Sequence, residues 1–170
     1  MKTIVFDAEA NNLIDSFKTG TYQTVSKLWC VSTIEVETNE RKQFNVALDN
    51  LASGLEYLGS ADVVIGHNII DYDLRMFELL YGWRYYGKVI DTLKLSQYLY
   101  PERAGGHSIE SWGKRVGRSK PEYEDWSHYT PEMQVRCDED TEINLLVYQM
   151  LTEECRQPIE GVQLWIPSDK

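Results

Sequence analysis

The stretch TIVFDAEANNL, residues 3–13, decides the fold that we predict for this chain. Apolar residues fill successive positions at its start, which is typical of a strand buried on both faces. Asp7 and Glu9 follow two residues apart, so in an extended backbone their side chains leave the same face. Two converging acids at a buried strand end fit an oxygen-liganded divalent cation, Mg²⁺ or Mn²⁺. A polar strand end or a helix cap is the alternative explanation.

Composition indicates one globular domain. The chain has 170 residues, of which 42% are hydrophobic and 12% aromatic, enough to bury a core. Its net charge of −10 argues against a protein that coats nucleic acid with a basic surface. The same charge is compatible with an enzyme that holds phosphates through metal ions. We expect a single domain over residues 1–170, with a core over 1–156 and a C-terminal extension over 157–170.

Cysteine usage and hydropathy bear on the compartment. The three cysteines, at positions 30, 137 and 155, show no C-x-x-C spacing and are typical of reduced thiols inside a cell. No long apolar region precedes Asp7, and no stretch is long enough to span a bilayer. We therefore expect a cytoplasmic protein with no membrane partner.

The rest of the chain predicts strands followed by alternating strands and helices. Residues 11–26 are polar and rich in turn formers. Strands are predicted over 28–34, 42–46, 61–66 and 89–90, and helices over 49–58, 70–81, 93–100, 108–116 and 132–156. This order indicates an α/β fold, a mixed β-sheet flanked by helices, with its chemistry at strand ends.

Two further acids lie where that chemistry is expected. Asp73 falls in the first turn of the helix after the strand at 61–66, where an acid also complements the helix dipole. Asp140 borders the apolar face of the last helix, which we predict to bury Met133, Ile143, Leu146 and Met150. An acid beside a buried face needs a partner. Arg136, one turn earlier on the same face, supplies one if the pair is a structural salt bridge.

In this order and setting, the four acids resemble those of the DEDD (DnaQ-like) superfamily of 3′–5′ exonucleases. The segment FDAEANNL at 6–13 is similar to the first exonuclease motif. The pairs HN at 67–68 and YD at 72–73 are similar to the second, and RCDED at 136–140 lies in the place of the third. The segments IDTL at 90–93 and GHSIESWGKRVG at 106–117 resemble proofreading domains of family A bacteriophage polymerases. The resemblance implies an RNase H-like fold with a mixed sheet of about five strands.

The resemblance also implies a metal site and its division of roles. Two divalent cations, Mg²⁺ or Mn²⁺, would be held by Asp7, Glu9, Asp73 and Asp140. Asp7 would bridge both cations, and Glu9 and Asp140 would bind the cation that activates water. Asp73 would hold the other cation directly or through a water molecule. Such paired cations hydrolyse phosphodiesters by stabilising the attacking and the leaving oxygen together.

The residues expected to bind the substrate are Asn11, Asn12, Leu13, Asn68, His107 and Trp112. Asn11, Asn12 and Asn68 would bond the terminal nucleotide, and Leu13 would wedge against its base, an ordinary core leucine being the alternative. A basic region with interleaved aromatic residues would guide a single strand by charge and stacking, a solvated helix face being the alternative. This region contains Arg103, His107, Trp112, Lys114, Arg115, Arg118, Lys120 and Tyr123.

The third motif departs from the family at one place. The family has Tyr four residues before the last Asp or His five residues before it, and these positions here are Arg136 and Val135. The residue that orients the attacking water is therefore missing from its usual place. Three explanations stay open. The water needs no helper, a neighbour such as Tyr123, His128 or Tyr129 replaces it, or the enzyme is slow.

The sequence favours a metal-dependent 3′–5′ exonuclease that releases nucleoside monophosphates from single-stranded or frayed DNA ends, a proofreading activity. One alternative is an RNA or oligonucleotide exonuclease of the same fold, because no residue clearly recognises the sugar 2′ position. The other is a catalytically weak nucleic-acid-binding or interaction module, with Arg136 on the metal face.

The family resemblance also suggests a partner and a setting. A DNA polymerase domain or subunit is an expected partner, in the cytoplasm of a bacterium or of a phage-infected host cell. The chain is then an excised proofreading domain, one piece of a split polymerase or a free-standing nuclease.

Overall fold

The computed structural model describes residues 1–18, 21–119 and 121–156. The strands are β1 (Thr3–Ala10), β2 (Ser16–Lys18), β3 (Thr21–Gln23), β4 (Leu28–Glu35), β5 (Arg41–Asn45), β6 (Val63–Gly66) and β7 (Lys88–Asp91). The helices are α1 (Leu51–Gly59), α2 (Asp73–Tyr81), α3 (Thr92–Leu99), α4 (Ile109–Val116) and α5 (Pro131–Arg156). The extension predicted over 157–170 lies outside the described residues. Within the described ranges, no helix is both long and apolar enough to cross a membrane.

Five strands form one mixed sheet in the order β5-β4-β1-β6-β7. β4 pairs antiparallel with β1 and with β5, whereas β6 runs parallel to β1 and β7 runs parallel to β6. The predicted α/β fold with a mixed, helix-flanked sheet of five strands is therefore confirmed. The sequence did not predict β2 and β3, which form a separate antiparallel hairpin within the polar segment 11–26.

The central strand β1 is covered on both faces. Ile4, Phe6 and Ala8 belong to a core that includes buried residues of α1 and α2. On the opposite face, Val5 packs with residues of β4 and β6 and with Leu145 of α5. Because successive side chains alternate between these faces, Asp7 and Glu9 lie on the face that α5 covers.

The long helix α5 buries a different set of residues from the one predicted. Met133 and Ile143 are fully buried as expected, but Met150 is 40% exposed. Val147 and Leu151 are buried instead, in a cluster with Trp112 of α4. The apolar face of α5 therefore turns toward α4 in its second half, and this depends on where a neighbouring helix packs rather than on spacing within α5.

Gly66 ends β6 at a point where no side chain fits. A Cβ atom there would lie 2.1 Å from Cγ2 of Ile69 and 3.1 Å from the carbonyl oxygen of Phe6. We expect Gly66→Ala to lower the free energy of unfolding by about 1–3 kcal/mol, because overpacking forces neighbours out of place. Urea denaturation measures this.

The matched control is Gly59→Ala at the end of α1. The nearest atoms to a Cβ there are 3.8 Å away, and alanine is the better helix former. The control should therefore unfold at the same or a slightly higher urea concentration than the wild type. A Gly66→Ala protein as stable as this control would contradict the close packing of β6 on the core.

Candidate active site

β1 and α5 together deliver three acids to one place. Asp7 and Glu9 are half-buried on β1, and Asp140 is buried on α5. One turn before Asp140, the thiol of Cys137 donates to the backbone carbonyl of Asp7 over 3.3 Å, which holds helix and strand together. One carboxylate oxygen from each of the three acids lies within 4.8 Å of the other two.

Asp73, the first residue of α2, joins them in one cavity of about 160 Å³, which we call the acid cavity. Burial first of all, and then the charges of Glu9 and Asp91, raise the pKa of the Asp73 carboxyl well above its ordinary value. Its Oδ1 is buried and has no hydrogen-bond partner among the described residues. The acid cavity is lined by Asp7, Ala8, Glu9, His67, Asn68, Tyr72, Asp73, Ile109, Arg136 and Asp140.

The donors in the acid cavity fit a divalent cation. Several carboxylates in so small a space cannot all ionise without a counter-charge, and hard cations such as Mg²⁺ and Mn²⁺ take oxygen ligands. Burying the unpartnered oxygen of Asp73 costs free energy. A cation bound to this oxygen would offset that cost, so the oxygen suits a metal ligand. The residues present therefore suit a cation bound among the acids.

The loop that carries Asn68 toward the acid cavity is held by Asp91 at the end of β7. The Asp91 carboxylate accepts hydrogen bonds of 3.0 Å from the backbone N–H groups of Asn68, Ile70 and Leu93. Because residues 67–72 are tied in this turn, α2 begins at Asp73 and not at position 70 as predicted. The sequence contained a signal for Asp91, since an acid directly before a helical pattern is an N-cap signature.

Among the residues expected at the terminal nucleotide, Asn68 lines the acid cavity. Leu13 is 57% exposed and is not a core leucine. Asn12 is half-buried and accepts a hydrogen bond from the backbone N–H of Leu13. A nucleotide contact by Asn11 stays a prediction, and its side chain has a structural role as well. Its amide oxygen accepts from the backbone of Ser26 and its amide nitrogen donates to the Ser26 hydroxyl, which ties the end of β1 to the segment before β4.

Two predicted substrate contacts do not line the acid cavity. Trp112 is fully buried between the guanidinium groups of Arg103 and Arg115, so the prediction that it stacks on the substrate is wrong. The ring nitrogens of His107 contact the Ser96 hydroxyl at 2.8 Å and the Pro101 carbonyl at 3.2 Å, and its contact with a substrate stays a prediction.

The described part of the basic region around these two residues contains three ion pairs. Acids pair with three of its charged side chains, which lowers the net positive charge that could guide a strand. The pairs are Arg103 with Glu154, Lys114 with Glu110 and Arg118 with Glu139, and Arg115 donates to the Gly106 carbonyl. Lys120 lies outside the described residues.

None of the three neighbours considered as replacements for the family helper lines the acid cavity. The Tyr123 hydroxyl bonds Thr130, and His128 pairs with Asp125. Tyr129 packs in an apolar cluster against Trp29. These three side chains therefore lie apart from the acids in the metal-free protein, and replacement of the family helper by one of them stays a prediction.

Tyr72 and Ile109 are among the residues that line the acid cavity although sequence reasoning did not place them in the site. The Tyr72 hydroxyl donates to the Asn12 carbonyl over 2.7 Å. Burial raises the pKa of this phenol, as do the charges of Asp73, Glu9 and Asp7, so it stays protonated. Ile109, at the start of α4, contributes an apolar wall.

Arg136 lies at the edge of the acid cavity. Its Nε is 3.3 Å from Oε1 of Glu9. The salt bridge that the sequence suggested for this face of α5 therefore reaches across to β1.

Neither a protein-family model nor a curated protein matches the chain. Among solved structures, a nuclease in its apo form superposes with a TM-score of 0.66 at 16% identity, over 89% of this chain and 72% of that one. RNase D of Escherichia coli superposes with a TM-score of 0.62 at 18% identity, over 89% of this chain and 39% of that one. The chain has the RNase H-like α/β fold of these nucleases. Exonuclease X, bound to 5′ overhanging duplex DNA, shares this fold with a TM-score of 0.52 at 14% identity, over 88% and 92% of the two chains.

We expect Asp73→Asn to stabilise the metal-free protein at high pH. Burial on folding raises the pKa of Asp73. The protonated carboxyl therefore contributes fully to the free energy of unfolding below about pH 4, and this contribution is lost as the pH rises through the pKa of the folded state. An uncharged amide avoids this loss. In EDTA at pH 8 the variant should therefore have a higher free energy of unfolding than the wild type, because only the wild type must bury a group that ionises in the unfolded chain.

Urea denaturation at pH 4 and at pH 8 measures the difference, which should shrink or reverse at pH 4. The control is Asp71→Asn, at an exposed acid that pairs with Lys94 on the surface, and its stability relative to the wild type should change little with pH. An Asp73→Asn protein no more stable than the wild type at pH 8 would contradict the buried, unpartnered state of this carboxyl.

Proposed function

We propose that this protein is a metal-dependent 3′–5′ exonuclease that acts on single-stranded or frayed DNA ends and releases nucleoside monophosphates. The observation that carries the proposal is the meeting of Asp7, Glu9 and Asp140 within 4.8 Å, with Asp73 in the same cavity. This cluster lies in a fold shared with several nucleases. Acids far apart in sequence come together here near the carboxyl end of the central strand β1, and such folds place their chemistry at the carboxyl ends of strands.

The four acids would hold two divalent cations, Mg²⁺ or Mn²⁺. Such cations, when bound, activate a water molecule and stabilise charge on the attacking and leaving oxygens of a phosphodiester. Asp7 would contact both cations, Glu9 and Asp140 would bind the cation on the side of the attacking water, and Asp73 would bind the other. The fold contributes by fixing the carboxylates before substrate arrives, so that little reorganisation is needed during the reaction.

The terminal nucleotide would lie against the end of β1 and the loop before α2. Leu13 is exposed there and would wedge against the terminal base. Asn68, which lines the acid cavity, and Asn12 would offer amide groups to the nucleotide. The hydrogen bond from Tyr72 to the Asn12 carbonyl would hold these two segments in register, so that the scissile phosphate faces the acids.

RNA is a second candidate substrate, because the fold is shared with RNase D of Escherichia coli. A polymerase domain or subunit as partner stays a prediction, as does the cytoplasmic setting.

Stepwise digestion tests the proposal. Single-stranded DNA labelled at its 5′ end should shorten by one nucleotide at a time in Mg²⁺ or Mn²⁺, because cleavage starts at the unlabelled 3′ end, and EDTA should stop the reaction. Matched RNA in parallel reveals the sugar preference. Release of the label as a mononucleotide at the first step would contradict the proposed polarity, and no shortening with either strand would reject the nuclease.

Asp7→Ala should reduce cleavage to below about 1% of the wild-type rate. Mutation of residues that only hydrogen-bond to metal ligands already lowers metal affinity or activity about 10- to 100-fold, and Asp7 is a proposed ligand itself. Its circular dichroism spectrum should stay native, because Asp7 is half-buried in a polar cavity and contributes no core packing. Glu102→Ala, at an exposed acid, is the control and should retain full activity. Full activity in purified Asp7→Ala protein would remove Asp7 from the metal site.

A further inference from the structure

Arg136 and Glu9 form an ion pair that is shielded from solvent. Their side chains are 16% and 13% exposed, and the Nε to Oε1 distance is 3.3 Å. The contact lacks the geometry of a hydrogen bond, and this Nε is a buried donor with no hydrogen-bond partner among the described residues. The pair therefore neutralises charge, but it leaves one of the donors of the guanidinium unsatisfied.

Arg136 is also held by groups other than Glu9. Its Nη1 donates to the carbonyl of Pro121 over 2.5 Å. Its guanidinium carbon lies 5.3 Å from the centre of a Trp126 ring, a distance at which a cation is attracted to an aromatic face. These contacts would keep the guanidinium at the edge of the acid cavity if Glu9 turned to another partner.

The position of Arg136 joins the acid cavity to a larger space. Arg136 and Ile109 also line an outer cavity of about 870 Å³, between α4 and the segment around Pro121. The acid cavity, at about 160 Å³, is much smaller than the outer one. A nucleotide strand that reaches the acids must therefore extend outside the acid cavity, and Arg136 lies at the junction with the outer one.

We propose that Arg136 has two roles, which rest on the proposed exonuclease function. In the metal-free protein it is the counter-charge of Glu9 and competes with divalent cations for that carboxylate. When a cation holds Glu9, the guanidinium instead binds the phosphate of the terminal nucleotide. A guanidinium suits a phosphate because its N–H groups form a planar fork that matches two phosphate oxygens.

The first test measures Mn²⁺ affinity by titration calorimetry without nucleic acid. Arg136→Gln should bind Mn²⁺ about tenfold more tightly than the wild type, because it removes a like charge and a competitor from a shielded site. Arg136→Lys keeps the charge and should stay near the wild type. Arg75→Gln removes the same charge from an exposed position, and its Mn²⁺ affinity should not change. Equal Mn²⁺ affinity of Arg136→Gln and the wild type would overturn the competition for Glu9.

The second test measures binding of a fluorescently labelled oligothymidylate of four nucleotides by fluorescence anisotropy, in a solution that contains Ca²⁺. Arg136→Gln should bind it about tenfold more weakly despite the tighter metal site, because charge-assisted contacts to phosphate are lost, whereas Arg75→Gln should bind it normally. Unchanged oligonucleotide affinity would overturn the phosphate role. Both tests measure binding, so their outcomes are independent of cleavage. The proposed exonuclease function fails separately, if wild-type protein that binds Mn²⁺ cleaves neither DNA nor RNA.

Discussion

Electrostatic repulsion within the acid cavity is the constraint around which this structure is arranged. Four carboxylates line a space of about 160 Å³, and one of them, Asp73, is buried with an oxygen that has no hydrogen-bond partner among the described residues. Such a cluster is unfavourable unless a positive charge enters it. Arg136 supplies one charge in the metal-free protein. The remaining excess of negative charge is the physical reason for assigning a cation site here.

The fold resists this repulsion with contacts that fix the backbone behind each acid. Cys137 of α5 donates to the carbonyl of Asp7, so the helix that carries Asp140 is tied to β1. Asp91 holds the loop before α2. The next residue, Thr92, lies 2.8 Å from the buried amide oxygen of Asn144, one turn after Asp140. The ends of β6 and β7 are thereby connected to α5, and the acids cannot separate without breaking buried polar contacts.

The sequence predicted those parts of the molecule whose signal is local. Alternation along β1 placed Asp7 and Glu9 on one face, and the order of strands and helices predicted the mixed sheet. It failed where another element decides the outcome. Met150 is partly exposed because α4 packs elsewhere on α5. Trp112 was predicted to stack on the substrate but is fully buried. The sequence could not show this, because it does not reveal which neighbouring elements cover the indole. The partner of Arg136 is on β1, a contact that spacing within α5 does not predict.

The most direct measurement of the central claim is a crystal structure in Mn²⁺, with the anomalous signal used to locate the metal. We predict two peaks about 4 Å apart, bounded by Asp7, Glu9, Asp73 and Asp140, with the Glu9 carboxylate turned from the Arg136 guanidinium to a metal ion. A map without a peak among these acids, or with Glu9 still paired to Arg136, would contradict the account.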